Sequence, residues 1–173
     1  KSEFILRLPF AISGVVTIFV IYKLGSSLFS TNEGLISAFL LAISPFHILY
    51  SRDARMYSLF TLFSLSSYLF FYLASKNTKW SLWILYSLSI TLSIYTHYFT
   101  VFVILSQFII VIIFVSANTQ FFGRIASKFF LSLFFSFLLF LPWIPSFFKQ
   151  LSINQQFFTK ASLSETFLWI IDE

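Results

Sequence analysis

The sequence contains no cysteine and few charged residues. Without cysteine, this chain forms neither disulfide bonds nor thiolate metal sites. Asp, Glu, Lys and Arg make up only 10% of the residues, whereas a soluble domain carries roughly 25%. Glycine occurs four times, and the glycine-rich phosphate loop, the HExxH zinc motif and the nucleophile elbow are all missing. The sequence therefore shows no motif of a soluble catalytic fold.

Apolar residues dominate the composition. Hydrophobic residues make up 58% of the chain, and phenylalanine alone occurs 27 times among 173 residues. One small aqueous core cannot bury so much apolar surface, whereas a bilayer can solvate the outer faces of helices. The net charge of +5 is spread along the chain in ones and twos, which excludes a nucleic-acid patch and is typical of the flanks of membrane helices.

Helix breakers and charged residues divide the chain into about six apolar runs of bilayer length. These runs cover residues 4–29, 35–50, 56–74, 80–95, 99–117 and 125–141. We predict an all-α, polytopic transmembrane helix bundle over residues 1–145, with a bend at Ser44-Pro45 in the second run. Residues 118–124 are predicted to form a loop between the last two runs.

Both ends of the chain look cut, because it begins at Lys1 without a methionine and stops at Glu173 just after an aromatic-apolar run. We therefore expect an internal piece of a longer protein. Residues 146–173 are more polar and are predicted to be a surface loop on the non-cytoplasmic side. Ser162 and Glu165 have the spacing of a capping box within it.

The orientation of the bundle follows from alternation of the spans and from the positive-inside rule. Lys and Arg are nearly equal on the two sides, and acidic residues carry little weight in the rule. If function holds Arg52 and Arg55 in place, the side with Lys23 and Lys76 becomes the cytoplasmic one. We then expect a multi-pass protein of the plasma membrane with the turns around Asp53 and His97 on the outer face.

The first polar turn covers residues 50–57, with the sequence YSRDARMY. If it continued as a helix, Tyr50, Asp53 and Tyr57 would share one stripe, beside a second stripe with Arg52 and Arg55. One interpretation is an interfacial anchor, in which arginine reaches the headgroups and Asp53 neutralises one charge. The other is an anion site, in which the guanidinium groups grip a phosphate while Asp53 orients them or binds a metal.

The second polar turn holds His97 and Tyr98. His97 fits either a polar helix end, hydrogen-bonded to a carbonyl group, or a contact to a phosphate or a metal through its imidazole. The other histidine, His47, follows Ser44-Pro45, and we interpret it as a hydrogen-bonded polar group near the helix bend.

Four strings in this chain resemble, in wording and order, those of multi-span glycosyltransferases of the GT-C class. They are residues 7–9 (RLP), 42–47 (AISPFH), 50–57 (YSRDARMY) and 94–99 (IYTHYF). The similarity is greatest to the bacterial branch related to protein mannosyltransferases and lipid A aminoarabinose transferases, and it covers roughly residues 4–145. That branch commonly has Gln-Glu where this chain has Arg52-Asp53, so the acid is kept but shortened by one methylene.

This resemblance implies an enzyme that passes a sugar from a polyprenyl-phosphate donor to a lipid or protein acceptor, in a cavity at the outer membrane boundary. It implies that Asp53 is a second-site carboxylate that binds a divalent metal ion or shapes the acceptor pocket. It also implies that the donor phosphate is bound by Arg52, Arg55 and His97. Tyr57 and Tyr98 would be further substrate contacts. The main catalytic base would precede Lys1, so we expect no transferase activity from residues 1–173 alone.

Two other functions are compatible with the sequence. A transporter or channel would need ionisable residues at mid-helix depth or paired broken helices, whereas this chain keeps its charges at the ends of the apolar runs. A non-catalytic membrane scaffold or a lipid flippase is the other alternative. A sugar-transfer assay would separate them from a transferase.

Overall fold

The computed structural model describes residues 3–77, 79–117 and 119–150, and within these ranges it contains helices and no strand. The helices are α1 (Glu3–Leu28), α2 (Thr31–Ala42), α3 (Pro45–Arg52), α4 (Tyr57–Lys76), α5 (Trp80–Thr96), α6 (Thr100–Ala117) and α7 (Thr119–Phe140). A 3-10 helix at Leu141–Trp143 follows. The predicted all-α class is thereby confirmed.

The chain divides into two compact units, Lys1–Leu138 and Leu139–Glu173. The first contains nearly all the described helices. In the second, the 3-10 helix leads into helical residues up to position 150, although we predicted a surface loop from position 146. The rest of that predicted loop, including its capping box, lies outside the described residues.

Most helix ends fall within two residues of the ends of the predicted apolar runs, but two predicted turns are shorter than expected. Residues 119–124 belong to α7 rather than to a loop. A single glycine in a helix costs about 1 kcal/mol relative to alanine, so Gly123 is too weak a signal to end a helix. Likewise α2 already begins at Thr31, because the Ser30 hydroxyl group caps it by accepting a hydrogen bond from the Asn32 backbone amide at 3.3 Å.

The predicted count of six membrane helices is not confirmed. Among the described residues three helices are long and apolar enough to cross a membrane, or four if a bent pair counts as one span. The three are Phe4–Leu28, Tyr57–Lys76 and Ile125–Gln150. The bent pair is α2 with α3, which meet at an angle of 60°. Its break, after Ala42 and before Pro45, lies where the Ser44-Pro45 bend was predicted.

Small and hydroxyl-bearing residues join the helices, as is common in membrane bundles. A Cβ atom added at Gly25 would lie 3.0 Å from the Cα atom of Gly34, so the backbones of α1 and α2 approach closely. Between α4, α5 and α6, Tyr86 donates a hydrogen bond to Gln107 at 2.8 Å, and Gln107 donates one to Ser67 at 2.9 Å. The buried polar side chains of the described residues are Ser, Thr and Gln, and none is charged.

Aromatic rings fill the core at the end of α4 opposite the polar turns. Phe71, Trp83, Tyr86 and Phe129 are all at most 5% exposed. Their rings meet in edge-on, tilted and stacked pairs with centroids 5.6 to 6.4 Å apart. Together with the hydroxyl contacts, this cluster fixes α4 against α5, and so fixes which residues meet at the other end of the pair.

Candidate functional site

The site begins at the break between α2 and α3. Ser44 has an extended backbone, and its hydroxyl group accepts a hydrogen bond from the His47 backbone amide at 3.4 Å. Pro45 occupies the first turn of α3, where its missing N–H group leaves no hydrogen bond unmade. These two residues end one helix and start the next, and they turn α3 away from the axis of α2.

The inner face of α3 packs on α1 at Gly14. The Nε2 atom of His47 donates a hydrogen bond to the Gly14 carbonyl group across 3.2 Å. One turn later, Ser51 is so close that a Cβ atom at Gly14 would lie 2.3 Å from its Oγ atom. His47 is thus the hydrogen-bonded polar group expected near the bend, and α3 rests directly on the backbone of α1.

The first polar turn does not continue as a helix. α3 ends at Arg52, and Asp53 is its C-cap, with an extended backbone (ψ 135°) and an amide that donates to the Leu49 carbonyl group at 3.1 Å. The condition for a helical stripe through Asp53 is therefore not met, because Asp favours helix ends over helix interiors. Tyr50 and Tyr57 nevertheless meet across the turn, with ring centroids 5.0 Å apart.

The charged groups of this turn differ in exposure. Arg52 and Arg55 are exposed, whereas Asp53 and Tyr57 are partly buried. The turn therefore presents two exposed arginines next to a partly buried aspartate in the sequence. A guanidinium fork can bind a phosphate or a carboxylate with two parallel hydrogen bonds, so the turn has the groups that an anion site needs.

The second polar turn follows the end of α5. His97 is the C-cap of α5, and its amide donates to the Ser93 carbonyl group at 2.9 Å. The Phe99 amide donates to Nδ1 of His97 at 3.1 Å, so in the neutral ring the proton lies on Nε2. The His97 carbonyl group accepts from the Thr100 amide at 3.1 Å and from the Thr100 hydroxyl group at 2.7 Å, which connects the turn to α6.

The two turns meet at the same end of the helix pair α4 and α5. The His97 ring lies 6.1 Å from the Tyr57 ring and 5.3 Å from the Phe60 ring, centroid to centroid. The Phe99 ring is 4.6 Å from the His97 ring. Tyr98 belongs to the same turn and is 46% exposed. The imidazole ring of His97 and the phenol ring of Tyr57 thus meet from strings about forty residues apart in the sequence.

Some residues of this region were not singled out from the sequence. They are Phe60, Phe99 and two residues of α1, Phe10 and Ser13. Ser58, the second residue of α4, donates a hydrogen bond to the Phe10 carbonyl group at 2.8 Å and also contacts the Ser13 hydroxyl group. Ser13 precedes Gly14, and a pair of small residues in an apolar run is a known signal of close helix packing. That signal could have pointed to α1 as the wall of the site.

The described residues do not build a metal site of their own. No group of three or more His, Asp or Glu side chains in this part of the chain is arranged to hold a metal ion. Asp53 alone would fit only an open site of the magnesium type, in which one or two carboxylates act together with substrate phosphates and water.

The architecture defines an all-α membrane helix bundle with two polar turns at one end. The chain matches the model of the dolichyl-phosphate-mannose-protein mannosyltransferase family over residues 1–145, and it belongs to this family. It is therefore a membrane glycosyltransferase of the GT-C type, as its four sequence strings indicated. No match was found among curated proteins or among solved structures.

Proposed function

We propose that the intact protein transfers a sugar from a polyprenyl-phosphate donor to a lipid or protein acceptor at the non-cytoplasmic face of the plasma membrane. The family match supports a lipid-linked donor. The observation that carries the site assignment is the contact between Tyr57 and His97, which unites the two polar turns at one end of the bundle.

The chemistry of transfer explains why cations belong at this end. When the bond between the anomeric carbon and the phosphate oxygen breaks, the leaving polyprenyl phosphate gains negative charge. Arg52 and Arg55 would stabilise that charge with oriented hydrogen-bond donors, and such stabilisation is commonly the largest single contribution to catalysis. His97 would donate to the same phosphate from Nε2, because its Nδ1 atom already accepts a hydrogen bond.

The remaining groups are assigned to the acceptor and to orientation. Asp53 would act as the second-site carboxylate that orients the guanidinium groups or shapes the acceptor pocket, and Tyr57 and Tyr98 would contact the substrates. We also propose that Asp53 would hold a divalent cation. When bound, such an ion would neutralise part of the phosphate charge, and chelation would then lower the rate.

The direct test is a transfer assay on the intact protein in liposomes. Polyprenyl-phosphate sugars carrying a radiolabel are supplied, and the label is followed into a lipid or protein product. Covalent transfer by the wild type and its loss in Asp53→Asn supports the proposal. Movement of the labelled donor across the bilayer without a new covalent product would instead indicate a flippase and overturn it.

The interior of the bundle gives no support to the transporter alternative. The buried polar side chains of the described residues are uncharged, and those that join the helices hydrogen-bond to one another rather than line a charged path. Transporters and proton relays instead place ionisable side chains inside the membrane.

A further inference from the structure

The short helix α3 carries Arg52 and is followed directly by Asp53, so its placement decides where these groups lie. On its outer side Phe46 is 72% exposed and Leu49 is 56% exposed, so these residues do not attach α3 to the rest of the protein. α3 packs mainly on α1 and less on α4 and α2. The contact with α1 therefore controls the position of the first polar turn.

That contact depends on the missing side chain of Gly14. A Cβ atom there would lie 2.3 Å from Oγ and 2.7 Å from Cβ of Ser51, and 3.7 Å from Nε2 of His47. The Ser51 hydroxyl group is buried and has no hydrogen-bond partner among the described residues. The Ser51 hydroxyl group therefore adds no hydrogen-bond energy to the contact between α3 and α1. Ser51 contributes to this contact through the size of its side chain.

The same stretch of α1 also holds α4. Ser13, directly before Gly14, contacts Ser58 near the start of α4. Ser58 in turn donates to the Phe10 carbonyl group at 2.8 Å. Two successive residues of α1 thus hold the helices on both sides of residues 53–56, and a shift at either contact changes the geometry of that turn.

We infer that Gly14 is a positioning residue, which sets the spacing of α3 from α1 through Ser51 and so holds Arg52 and Asp53 where the donor phosphate binds. This inference rests on the proposed function, because it assumes that these two residues meet the substrates. Gly14 itself touches no substrate and acts through α3.

Size-exchange variants of the intact protein test the inference. Gly14→Ala adds one methyl group against Ser51, and alanine favours a helix more than glycine does, so a loss cannot come from a weakened helix. A misplacement of about 1 Å can cost on the order of a hundredfold in rate. We expect a loss of that order in kcat/KM, mainly through a higher KM for the donor.

The double variant decides whether the contact is responsible. Ser51→Gly removes both atoms that the new methyl group meets. Gly14→Ala with Ser51→Gly should therefore recover the activity of Ser51→Gly alone. This comparison remains informative if Gly14→Ala alone fails to insert into the membrane. A double variant no better than Gly14→Ala would overturn the inference.

Gly25→Ala is the matched control. It makes the same substitution in the same helix, also at a tight contact, 3.0 Å from the Gly34 Cα atom, but about 16 Å further along the helix. It should leave the KM for the donor unchanged. Equal changes in KM from both glycine variants would show general loosening of α1 and contradict a specific role for Gly14.

Separate results would contradict the proposed function and the positioning role of Gly14. If the wild type transfers no sugar, the proposed function fails and the role of Gly14 fails with it. If Arg55→Lys and Asp53→Asn both retain full transfer, the assignment of this turn to the donor phosphate fails, and the role of Gly14 fails for that reason. If those variants lose transfer while Gly14→Ala retains wild-type kcat and KM, only the positioning role is wrong.

Discussion

The ring of Tyr57 at the start of α4 lies 6.1 Å from the imidazole ring of His97, just after the end of α5. The contact exists because α4 and α5 run antiparallel along their whole length. It is matched further along by the Ser64–Ser93 hydrogen bond of 3.3 Å and at the far end by Phe71 against Trp83. The relative position of the two polar turns is thus set by a helix pair that is packed from end to end.

Asp53 and Arg55 should be sensitive to conservative substitutions. Asp53→Asn keeps the size of the side chain but removes its charge, and Arg55→Lys keeps the charge but loses the planar fork. Each should lower the rate of transfer on the order of a hundredfold, measured on the intact protein with a polyprenyl-phosphate donor. An interfacial anchor would tolerate both changes, since lysine reaches the headgroups as well as arginine does. Normal amounts of inserted protein are the necessary control.

Two substitutions at His97 separate catalysis from capping of the turn. The amide oxygen of asparagine can replace Nδ1, which accepts from the Phe99 amide, while glutamine places its amide group near the position of Nε2. If Nε2 contacts the phosphate, His97→Gln should retain more transfer activity than His97→Asn, at equal thermal stability. Higher activity in the asparagine variant would assign His97 to the turn alone.

The orientation can be tested by labelling single cysteines, because this chain has no cysteine of its own. Ala54 and Lys79 are both exposed, and they lie at opposite ends of α4. Ala54→Cys should react with a membrane-impermeant maleimide added outside the cell, and Lys79→Cys should react only after the membrane is permeabilised. The reverse pattern would place the polar turns in the cytoplasm and contradict the proposed face.

The helices themselves were predictable from the sequence, because helix-breaking and charged residues separate the apolar runs. The run at 80–95 became Trp80–Thr96, and the run at 99–117 became Thr100–Ala117. Helix ends were harder to predict where a single residue was the only local signal. Gly123 did not end a helix, and the Tyr50-to-Tyr57 stretch broke at Asp53, a residue that favours helix ends.

The candidate site was predictable in part. A common membrane face for the two turns followed from alternation of the helices, and the structure also brings Tyr57 and His97 together. The part played by α1 was not predictable, because Gly14 carries no chemical group and its importance depends on a distance to Ser51. Such a contact joins distant segments and depends on the absence of a side chain. It is therefore hard to predict from a single sequence.

Gln107 provides the sharpest test of how the bundle itself is held together. It is fully buried, accepts from the Tyr86 hydroxyl group at 2.8 Å, and donates to Ser67 at 2.9 Å. It therefore links α6 to both α5 and α4. Hydrogen bonds of this kind between membrane helices contribute about 0.6 kcal/mol on average, but a buried group left without its partner costs about 1–3 kcal/mol.

Gln107→Leu should therefore destabilise the protein by about 1–2 kcal/mol, because the Tyr86 hydroxyl group loses its acceptor. Tyr86→Phe should also destabilise it, since the Gln107 amide oxygen loses its donor. The double variant leaves neither group of this pair unpaired, so its loss should be smaller than the sum of the single losses, and the difference is the coupling energy. Unfolding in detergent measures all three. Additive losses would show that this hydrogen bond does not couple α5 to α6.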